Sequence, residues 1–414
     1  GLSRDYLTGK YVELRKNSFY NQRDWKTEGQ TRSKGMKVVI AIDSFKGSLS
    51  SLEAGEAAKR GILKCNPQAQ VEIRPLADGG EGTVEALVQG MGGRICKVTV
   101  TGPLGNPVEA EYGIVGENTA VIEMSAAAGI TLVPDRMRNP LYTTTYGVGE
   151  MIKDAIEKGC RRFLVGIGGS ATNDGGIGML QALGYEFLDR EGKEVPLGAR
   201  GLEHLAAIKG EKVVPQLKDC EFRVACDVVN PLCGPQGSSA IYGPQKGADA
   251  QMIQKMDKWL GAYAKLAAAT FSKADPETPG TGAAGGLGFA FLTFTSSVLE
   301  SGIQIILEET RLEDYVKDAD VVVTGEGRLD GQTAMGKAPV GVAALAKKYG
   351  KTVVAFAGSV TRDAVKCNEK GIDAFFPVIR GISTLEEAMD PKIAGQNLAD
   401  TAEQVFRLIN LKTM

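Results

Sequence analysis

The stretch Lys37–Asp43 reads KVVIAID, a short run of apolar residues that ends in an aspartate. An uninterrupted apolar run of this length is typical of a parallel strand that is buried on both faces. The loop SFKGS follows it, and Ser50–Lys64 then has the residue spacing of an amphipathic helix, with a serine where an N-cap belongs. From residue 36 onward, the chain is therefore predicted to open with a buried strand and a covering helix.

The same alternation of strand and helix continues after this helix and returns near the C-terminus. The predicted strands are Val71–Leu76, Ala319–Thr324, Thr352–Ala357 and Ala374–Val378. The predicted helices are Thr83–Met91, Val340–Lys348, Arg362–Lys370 and about Gln396–Leu411. Alternation at this spacing predicts a parallel α/β sheet with right-handed crossovers.

The middle of the chain has a different pattern, with a β-rich segment before further α/β units. Strands are predicted within Arg94–Tyr112 and at Thr119–Met124, Phe163–Ile167 and Phe222–Ala225, with a helix around Ile177–Leu183. We therefore predict an α/β fold with two domains. Residues 36–82 and 288–414 form a Rossmann- or flavodoxin-like domain, residues 83–287 form an inserted α/β domain, and a cleft between the domains holds the site.

Composition narrows the class of protein. The 414 residues carry a formal net charge of −2 and only 6% aromatic residues, which argues against nucleic acid as the main partner. Seven scattered cysteines without a C-x-x-C pair predict reduced thiols in a cytoplasmic protein. The longest apolar stretch is too short to span a membrane. Residues 1–35 are polar and basic without periodicity, and we interpret them as a leader or expression remnant, with a natural extension as the alternative.

Glycine-rich polar loops follow several of the predicted strands, where open α/β sheets bind ligands. They are DSFKGS at Asp43–Ser48, ADGGEGT at Ala77–Thr83, GGSATNDGG at Gly168–Gly176 and GEGRLDGQTAMGK at Gly325–Lys337. Asp227 and Asn230 end another strand before two Pro-Gly segments, in the second of which Lys246 is the only charged group. These last segments are either a second wall of the cleft or plain turns.

Two of the glycine-rich segments match nucleotide-binding patterns only in part. Gly280–Gly285 fits G-x-G-x-x-G, but a proline-flanked acidic loop precedes it instead of the strand that a dinucleotide fingerprint needs. It is better interpreted as a backbone anion nest, with close packing of glycines as the alternative. Gly331–Lys337 fits the front of a Walker A loop, yet Ala338 and Pro339 stand where the Mg²⁺-binding hydroxyl belongs.

The single histidine restricts the chemistry further. His204 is predicted to be a half-exposed helix residue, so a histidine-based triad and a histidine-ligated metal centre are both excluded. Any general base must then be a carboxylate or a lysine. Phosphoryl transfer suits this set of residues, because its catalysis depends on positioning and on charge neutralisation by lysine, backbone N–H groups and carboxylate-held magnesium.

Taken together and in order, these loops resemble the bacterial type I glycerate kinase family. The matching blocks are DSFKGS, ADGGEGT, IGGSATNDGG, CDVVNPLCGPQG, YGPQKGA, PGTGAAGGLGF and TGEGRLDGQT…GKAPVGVA, and the resemblance runs from residue 36 to near the end of the chain. The resemblance implies an ATP-dependent phosphotransferase that needs Mg²⁺ and acts on D-glycerate to give 2-phosphoglycerate (3-phosphoglycerate under the older naming). It also implies a flavodoxin-like domain and an inserted domain of restriction-enzyme-like topology.

Individual roles are our own predictions from the residue types. Asp174, then Asp78, is predicted to deprotonate the glycerate hydroxyl, and Lys46 to neutralise the developing charge. Asp43 and Glu81, with Asp78 as a further candidate, are predicted to hold Mg²⁺. The predicted ATP-binding residues are Ser48, Gly168, Gly169, Ser170, Asn173, Gly282, Gly285 and Gly286. Arg328 or Lys337 is predicted to bind the glycerate carboxylate, with Glu326 and Asp330 beside them.

Two alternative functions stay open at this stage: an NAD-dependent hydroxy-acid dehydrogenase and a non-catalytic phosphometabolite-binding protein. The first would share the α/β fold and the glycines, and the second would keep the loops without turnover. A homodimer also stays open.

Overall fold

A computed structural model describes residues 35–411, so all of the predicted leader except Gly35 lies outside the described residues. The strands are β1 Lys37–Ile42, β2 Gln70–Ile73, β3 Arg94–Thr101, β4 Pro107–Val115, β5 Thr119–Glu123, β6 Arg162–Gly166, β7 Glu186–Leu188, β8 Ala207–Lys209, β9 Glu221–Ala225, β10 Ser296–Glu300, β11 Val321–Leu329, β12 Thr352–Val360 and β13 Ala374–Pro377.

The α-helices alternate with these strands over most of the chain. They are α1 Ser51–Cys65, α2 Thr83–Met91, α3 Ser125–Ala128, α4 Tyr146–Glu157, α5 Ile177–Ala182, α6 Ser238–Tyr242, α7 Ala250–Ala268, α8 Leu287–Phe294, α9 Gly302–Glu309, α10 Leu312–Val316, α11 Ala338–Lys348, α12 Leu385–Met389 and α13 Pro391–Asn410. The predicted helix at Arg362–Lys370 is a 3₁₀ helix with the same bounds.

The first sheet is built from both ends of the described chain, as the alternation predicts. Its order is β13-β12-β11-β1-β2, and all of its strands are parallel. Alternate residues of β1 point to opposite faces: Val38 and Ile40 pack with α1 and α13, whereas Val39 and Ala41 pack towards α11. Burial on both faces explains why the β1 sequence is apolar throughout.

The second sheet comes from the middle of the chain and is mixed. Its order is β10-β9-β6-β5-β4-β3, with β5, β6, β9 and β10 parallel and β3, β4 antiparallel at one edge. Strand β10 lies beyond the predicted boundary at residue 288, yet it pairs with β9 in this sheet. The α/β class is confirmed, and the division into domains stays a prediction.

The first helix begins where its sequence signal predicts. The Ser50 side chain accepts a hydrogen bond from the Glu53 amide at 3.3 Å, and the Glu53 carboxylate accepts one from the Ser50 amide at 2.8 Å. This reciprocal pair is a capping box, which satisfies two amides that helix geometry leaves without partners. Because it fixes where α1 starts, the capping box also fixes the length of the DSFKGS loop before it.

Other predictions from composition can be compared with the described residues. All seven cysteines are free thiols. The helices of residues 35–411 include none that is long and apolar enough to cross a membrane. His204 ends a short 3₁₀ helix, and its side chain is exposed rather than half-exposed.

Candidate active site

Two adjoining spaces open at the carboxyl ends of the parallel strands. A cavity of about 300 Å³ is bounded by residues 78–80, 167–170 and 225–228, together with Tyr242 and Lys246. A larger and more open groove of about 680 Å³ is bounded mainly by residues 44–50 and 81–85. The loop after β2 borders both spaces, since Asp78 faces the cavity and Glu81 the groove. The loops after β2, β6 and β9 therefore line the cavity, the loops after β1 and β2 line the groove, and the Gly325–Lys337 loop lines neither.

Beside the cavity, the loop after β2 approaches the end of β6 and the start of α9 without intervening side chains. A Cβ atom on Gly166 would lie 2.0 Å from the Gly79 carbonyl oxygen, and one on Gly302 would lie 1.8 Å from the Asp78 carbonyl oxygen. A Cβ on Gly79, whose φ is +88°, would lie 2.5 Å from the Ala225 Cβ. Only glycine permits this approach, so these glycines serve contact between the sheets.

Three carboxylates from the first sheet interact with one another beside the cavity. Burial and the nearby Asp78 charge raise the pKa of Asp43 to about 7, with Glu326 adding to the effect and Lys46 opposing it. The pKa of Glu326 is also raised, mainly by burial, with smaller contributions from Asp330 and Asp78, while Lys337 acts in the opposite direction. Raised pKa values at Asp43 and Glu326 show that negative charge outweighs positive charge around these two acids. Among residues 35–411, however, no three acidic, histidine or cysteine side chains already stand at metal-binding geometry.

The groove holds the other predicted residues of the first two loops. Lys46 is exposed along the groove wall, and the Ser48 hydroxyl beside it is buried with no hydrogen-bond partner among the described residues. Glu81 is exposed and acts on Glu123, not on the Asp43 cluster. Lys46 and Ser48 are thus free to meet a ligand, whereas Glu81 does not join the other acids.

Asp174, the first choice for the base, lies behind the cavity and not in its wall. The side chain is fully buried. One of its oxygens accepts hydrogen bonds from the Thr145 amide and hydroxyl, both at 2.9 Å, and from the Gly178 amide at 3.3 Å. The other accepts one from the Gly176 amide at 3.0 Å. A carboxylate committed to four internal donors cannot take a substrate proton, so the geometry argues against Asp174 as the base.

The loop before Asp174 is divided between the cavity and the interior. Gly168, Gly169 and Ser170 line the cavity as predicted. Asn173 is fully buried instead, where its amide group donates to Ser239 Oγ at 2.8 Å and its side-chain oxygen accepts from Ser238 at 2.9 Å. Asn173 therefore ties this loop to α6 and is not available to bind ATP.

The glycines of the Gly280–Gly286 segment serve close packing, which was the alternative interpretation of this segment. Cβ atoms on Gly282, Gly285 and Gly286 would meet backbone atoms of neighbouring loops at 2.2, 2.0 and 2.8 Å. The segment follows a turn and not a strand, which removes the structural context for a dinucleotide fingerprint. Its contribution to the cavity wall comes from Ala283 and Ala284. These glycines allow close packing, and the alanines face the ligand space.

The residues predicted to bind the glycerate carboxylate lie apart from the cavity. Arg328 has a side chain 66% exposed and pairs with Asp330 at 3.5 Å, and Lys337 is exposed at the start of α11. Asp330 accepts hydrogen bonds from the amides of Gln332 and Thr333, so its side chain mainly shapes its own turn. None of these residues lines the cavity or the groove, but Glu326 joins the acid cluster, and the charges of Lys337 and Asp330 act on Glu326.

Two cavity residues carry chemistry that we did not assign to them from the sequence. The Asp227 carboxylate lines the cavity and accepts a hydrogen bond from the Gly302 amide at 3.1 Å; the residue is exposed overall, and partial desolvation raises its pKa, with the Asp78 charge adding to the rise. The second is Lys246, on a short 3₁₀ turn between Pro244 and Gly247. The sequence signal was weak but present: Asp227 ends a buried strand, and Lys246 is the only charge in its loop.

Comparison with known proteins places this fold and site in a family. The glycerate kinase family model matches residues 38–410. Glycerate kinase of Bacillus subtilis is 48% identical over 92% of this chain and 99% of its own length. Glycerate 2-kinase of Escherichia coli is also 48% identical, over 85% of this chain and 93% of its own. A crystal structure of a Salmonella typhimurium LT2 protein, described as a glycerate kinase 2, superposes with a TM-score of 0.85 at 47% identity, covering 92% and 99% of the two chains.

The chain belongs to the glycerate kinase family. It is accordingly an enzyme that phosphorylates glycerate, and ATP is its phosphoryl donor. The resemblance read from the sequence blocks is confirmed, and the hydroxy-acid dehydrogenase alternative gains no support.

Proposed function

We propose that the enzyme transfers the γ-phosphoryl group of Mg²⁺-bound ATP to the 2-hydroxyl of D-glycerate in the cytoplasm. The observation that carries this proposal is the pair of neighbouring spaces, one smaller and one larger, with acids between them. The 2-position is supported by the similarity to the E. coli glycerate 2-kinase. A homodimer stays a prediction.

Size and charge suggest which substrate occupies which space. The cavity of about 300 Å³ is at the small end of ligand pockets and suits a three-carbon acid. The groove of about 680 Å³ is open, holds Lys46 and the unpartnered Ser48 hydroxyl, and suits the phosphates of ATP. Glycerate would then meet the γ-phosphate where the loop of Asp78 passes from the cavity to the groove.

We assign the general base to Asp227 in place of Asp174. Its carboxylate borders the cavity, and the Gly302 amide fixes one of its oxygens. Partial desolvation and the Asp78 charge raise its pKa from the ordinary range for aspartate, which makes the carboxylate a stronger proton acceptor. Asp227 would orient the glycerate hydroxyl and accept its proton as the bond to phosphorus forms.

The acid cluster fits a Mg²⁺ site that is completed by ATP. Mg²⁺ is commonly held by one or two carboxylates plus substrate phosphates and water, so three preformed protein ligands are not required. Asp43 and Asp78 are the proposed ligands, with Glu326 close by, because their mutual repulsion needs a cation. When bound, this ion supplies neutralisation of the negative charge on the transferring group. Glu81 is left out of the set, since it acts on Glu123 instead.

Product analysis tests the proposal directly. The purified enzyme with ATP, MgCl₂ and D-glycerate should form ADP, and two-dimensional ¹H–³¹P NMR should couple the product phosphorus to the proton on carbon 2. Coupling to the carbon 3 protons would refute the 2-position while leaving the kinase class intact. L-glycerate provides the stereochemical control, and a thermal-shift measurement with NAD provides the control for the dehydrogenase alternative.

A further inference from the structure

Lys246 is a buried lysine at the wall of the cavity. Its relative exposure is 2%, and its ammonium group donates to Ser170 Oγ at 2.7 Å and to the Thr172 carbonyl oxygen at 2.6 Å. Both acceptors are neutral. An ammonium group has three hydrogens, and among residues 35–411 the third has no protein acceptor.

The ammonium group of Lys246 contacts no anion of the described chain, and Asp174 acts on it only from a distance. Within residues 35–411 no carboxylate oxygen lies at ion-pair distance from its nitrogen. Asp174 is near enough to act through its charge, but its oxygens are already occupied by Thr145, Gly176 and Gly178. Burial accordingly lowers the pKa of Lys246 to about 7. A buried cation without a partner is costly, so such a residue is expected where a ligand brings the missing charge.

The lysine is also held in place. Its backbone amide donates to the Gly243 carbonyl oxygen at 3.0 Å, and Gly247 follows with φ of +94°, where a Cβ would lie 2.2 Å from the Arg138 carbonyl oxygen. A lysine fixed at both its backbone and its ammonium group loses little conformational entropy on binding a ligand. This fixed position distinguishes it from the exposed Lys46 in the groove.

We propose that Lys246 binds the carboxylate of the acid substrate inside the cavity, and so makes the enzyme select an acid over a neutral polyol. This inference rests on the proposed function, because it assigns the cavity to glycerate. The carboxylate would accept the third ammonium hydrogen of Lys246, inside the cavity that Lys246 lines. Lys246 thereby takes the role that we predicted from the sequence for Arg328 or Lys337.

The test compares Lys246→Met, which keeps the length of the side chain without its charge, with wild type and with Lys218→Met. Lys218 is an exposed lysine outside the cavity and the groove. We expect Lys246→Met to raise KM for D-glycerate by about 10- to 100-fold, the range for a lost hydrogen bond to a charged group. KM for ATP should stay within about twofold of the wild-type value, and the ratio of kcat/KM for D-glycerate to that for glycerol should fall in parallel.

The results that would contradict the proposed function differ from those that would contradict the role of Lys246. A wild-type enzyme that fails to turn over glycerate would refute the proposed function. An active wild type beside a Lys246→Met variant with unchanged KM for D-glycerate, or with only KM for ATP raised, would refute the role of Lys246. If the variant does not fold, lysine-¹⁵Nζ NMR of the wild type decides instead: D-glycerate should shift the most solvent-protected ammonium signal, and a non-hydrolysable ATP analogue alone should not.

Discussion

The cavity and the groove both contain a lysine from a glycine-flanked loop, yet the two lysines are in opposite surroundings. Lys46 is exposed, and its charge stabilises the ionised form of a buried acid, Asp43. Lys246 is buried, and its ammonium group contacts only neutral oxygens. A flexible, exposed lysine can reach phosphates at several positions, whereas a buried lysine in a fixed position selects a single small anion. Burial, and not residue type, therefore separates the chemistry of the two regions.

The largest expected effect comes from comparing an acid in the cavity wall, Asp227, with an acid buried behind the wall, Asp174. Asp227→Asn should lower kcat by about 100-fold or more, the usual contribution of a general base, with the fold intact because the asparagine oxygen still accepts from Gly302. Asp174→Asn should instead lower the free energy of unfolding by about 3 kcal/mol. The NH₂ group of the asparagine would face N–H or O–H donors that have a carboxylate oxygen as their acceptor in the wild type.

Steady-state kinetics and urea unfolding of both variants check this contrast. The opposite pattern, a fully stable Asp174→Asn variant without activity beside an active Asp227→Asn variant, would restore Asp174 as the base.

A second expected effect concerns how Lys246, in the cavity wall, makes the free energy of unfolding depend on pH. Between about pH 7 and the ordinary lysine pKa, the folded protein binds one proton fewer than the unfolded chain at Lys246, so this residue makes stability rise with pH. Lys246→Met removes that slope. The variant should therefore be more stable than wild type near pH 6, by on the order of 3 kcal/mol, and should lose this advantage towards pH 10.

Thermal unfolding of the ligand-free proteins across this pH range provides the measurement. A stability difference that does not change with pH would mean that the Lys246 ammonium is not deprotonated in the fold.

The smallest expected effect concerns Mg²⁺ binding by two acids that were both predicted as ligands, Asp43 and Glu81. Asp43→Asn should raise the Mg²⁺ concentration for half-maximal activity by about tenfold, since one of the carboxylate ligands for the ion is lost. Glu81→Gln, on the groove wall, should change that concentration by less than about twofold, because exposed charges contribute little. Equal effects in a Mg²⁺ titration of the two variants would return Glu81 to the proposed set of ligands.

Much of the fold could be predicted from local sequence alone. The predicted helix Thr83–Met91 has the same bounds in the structure, and α1 begins at the predicted serine cap. Periodicity and caps are local properties, so they locate such elements well. Sheet membership is not local: β10, at Ser296–Glu300, pairs with β9, which lies far from it in the sequence.

The site was predicted at the level of loops but not always of side chains. Because each follows a predicted strand, the Asp78 loop and the Gly168–Ser170 loop were predicted to lie close together, and both line the cavity. Motif position could not predict that the Asp174 side chain points into the interior. The four groups that donate hydrogen bonds to it are brought together by packing between α4, α5 and the loop. Lys246 was missed for the converse reason. Its burial depends on contacts with residues about seventy positions away in the chain.

The glycine contact at Gly79, Gly166 and Gly302 also has a mechanical consequence. Backbones that touch without side chains cannot be pushed closer, since no rotamer is available to yield. Rotation about such a point is still possible, much as a door turns on its hinge pin. Because Gly79 and Asp78 also line the cavity, this contact fixes the position of the cavity wall at that point, and a larger side chain there would displace it.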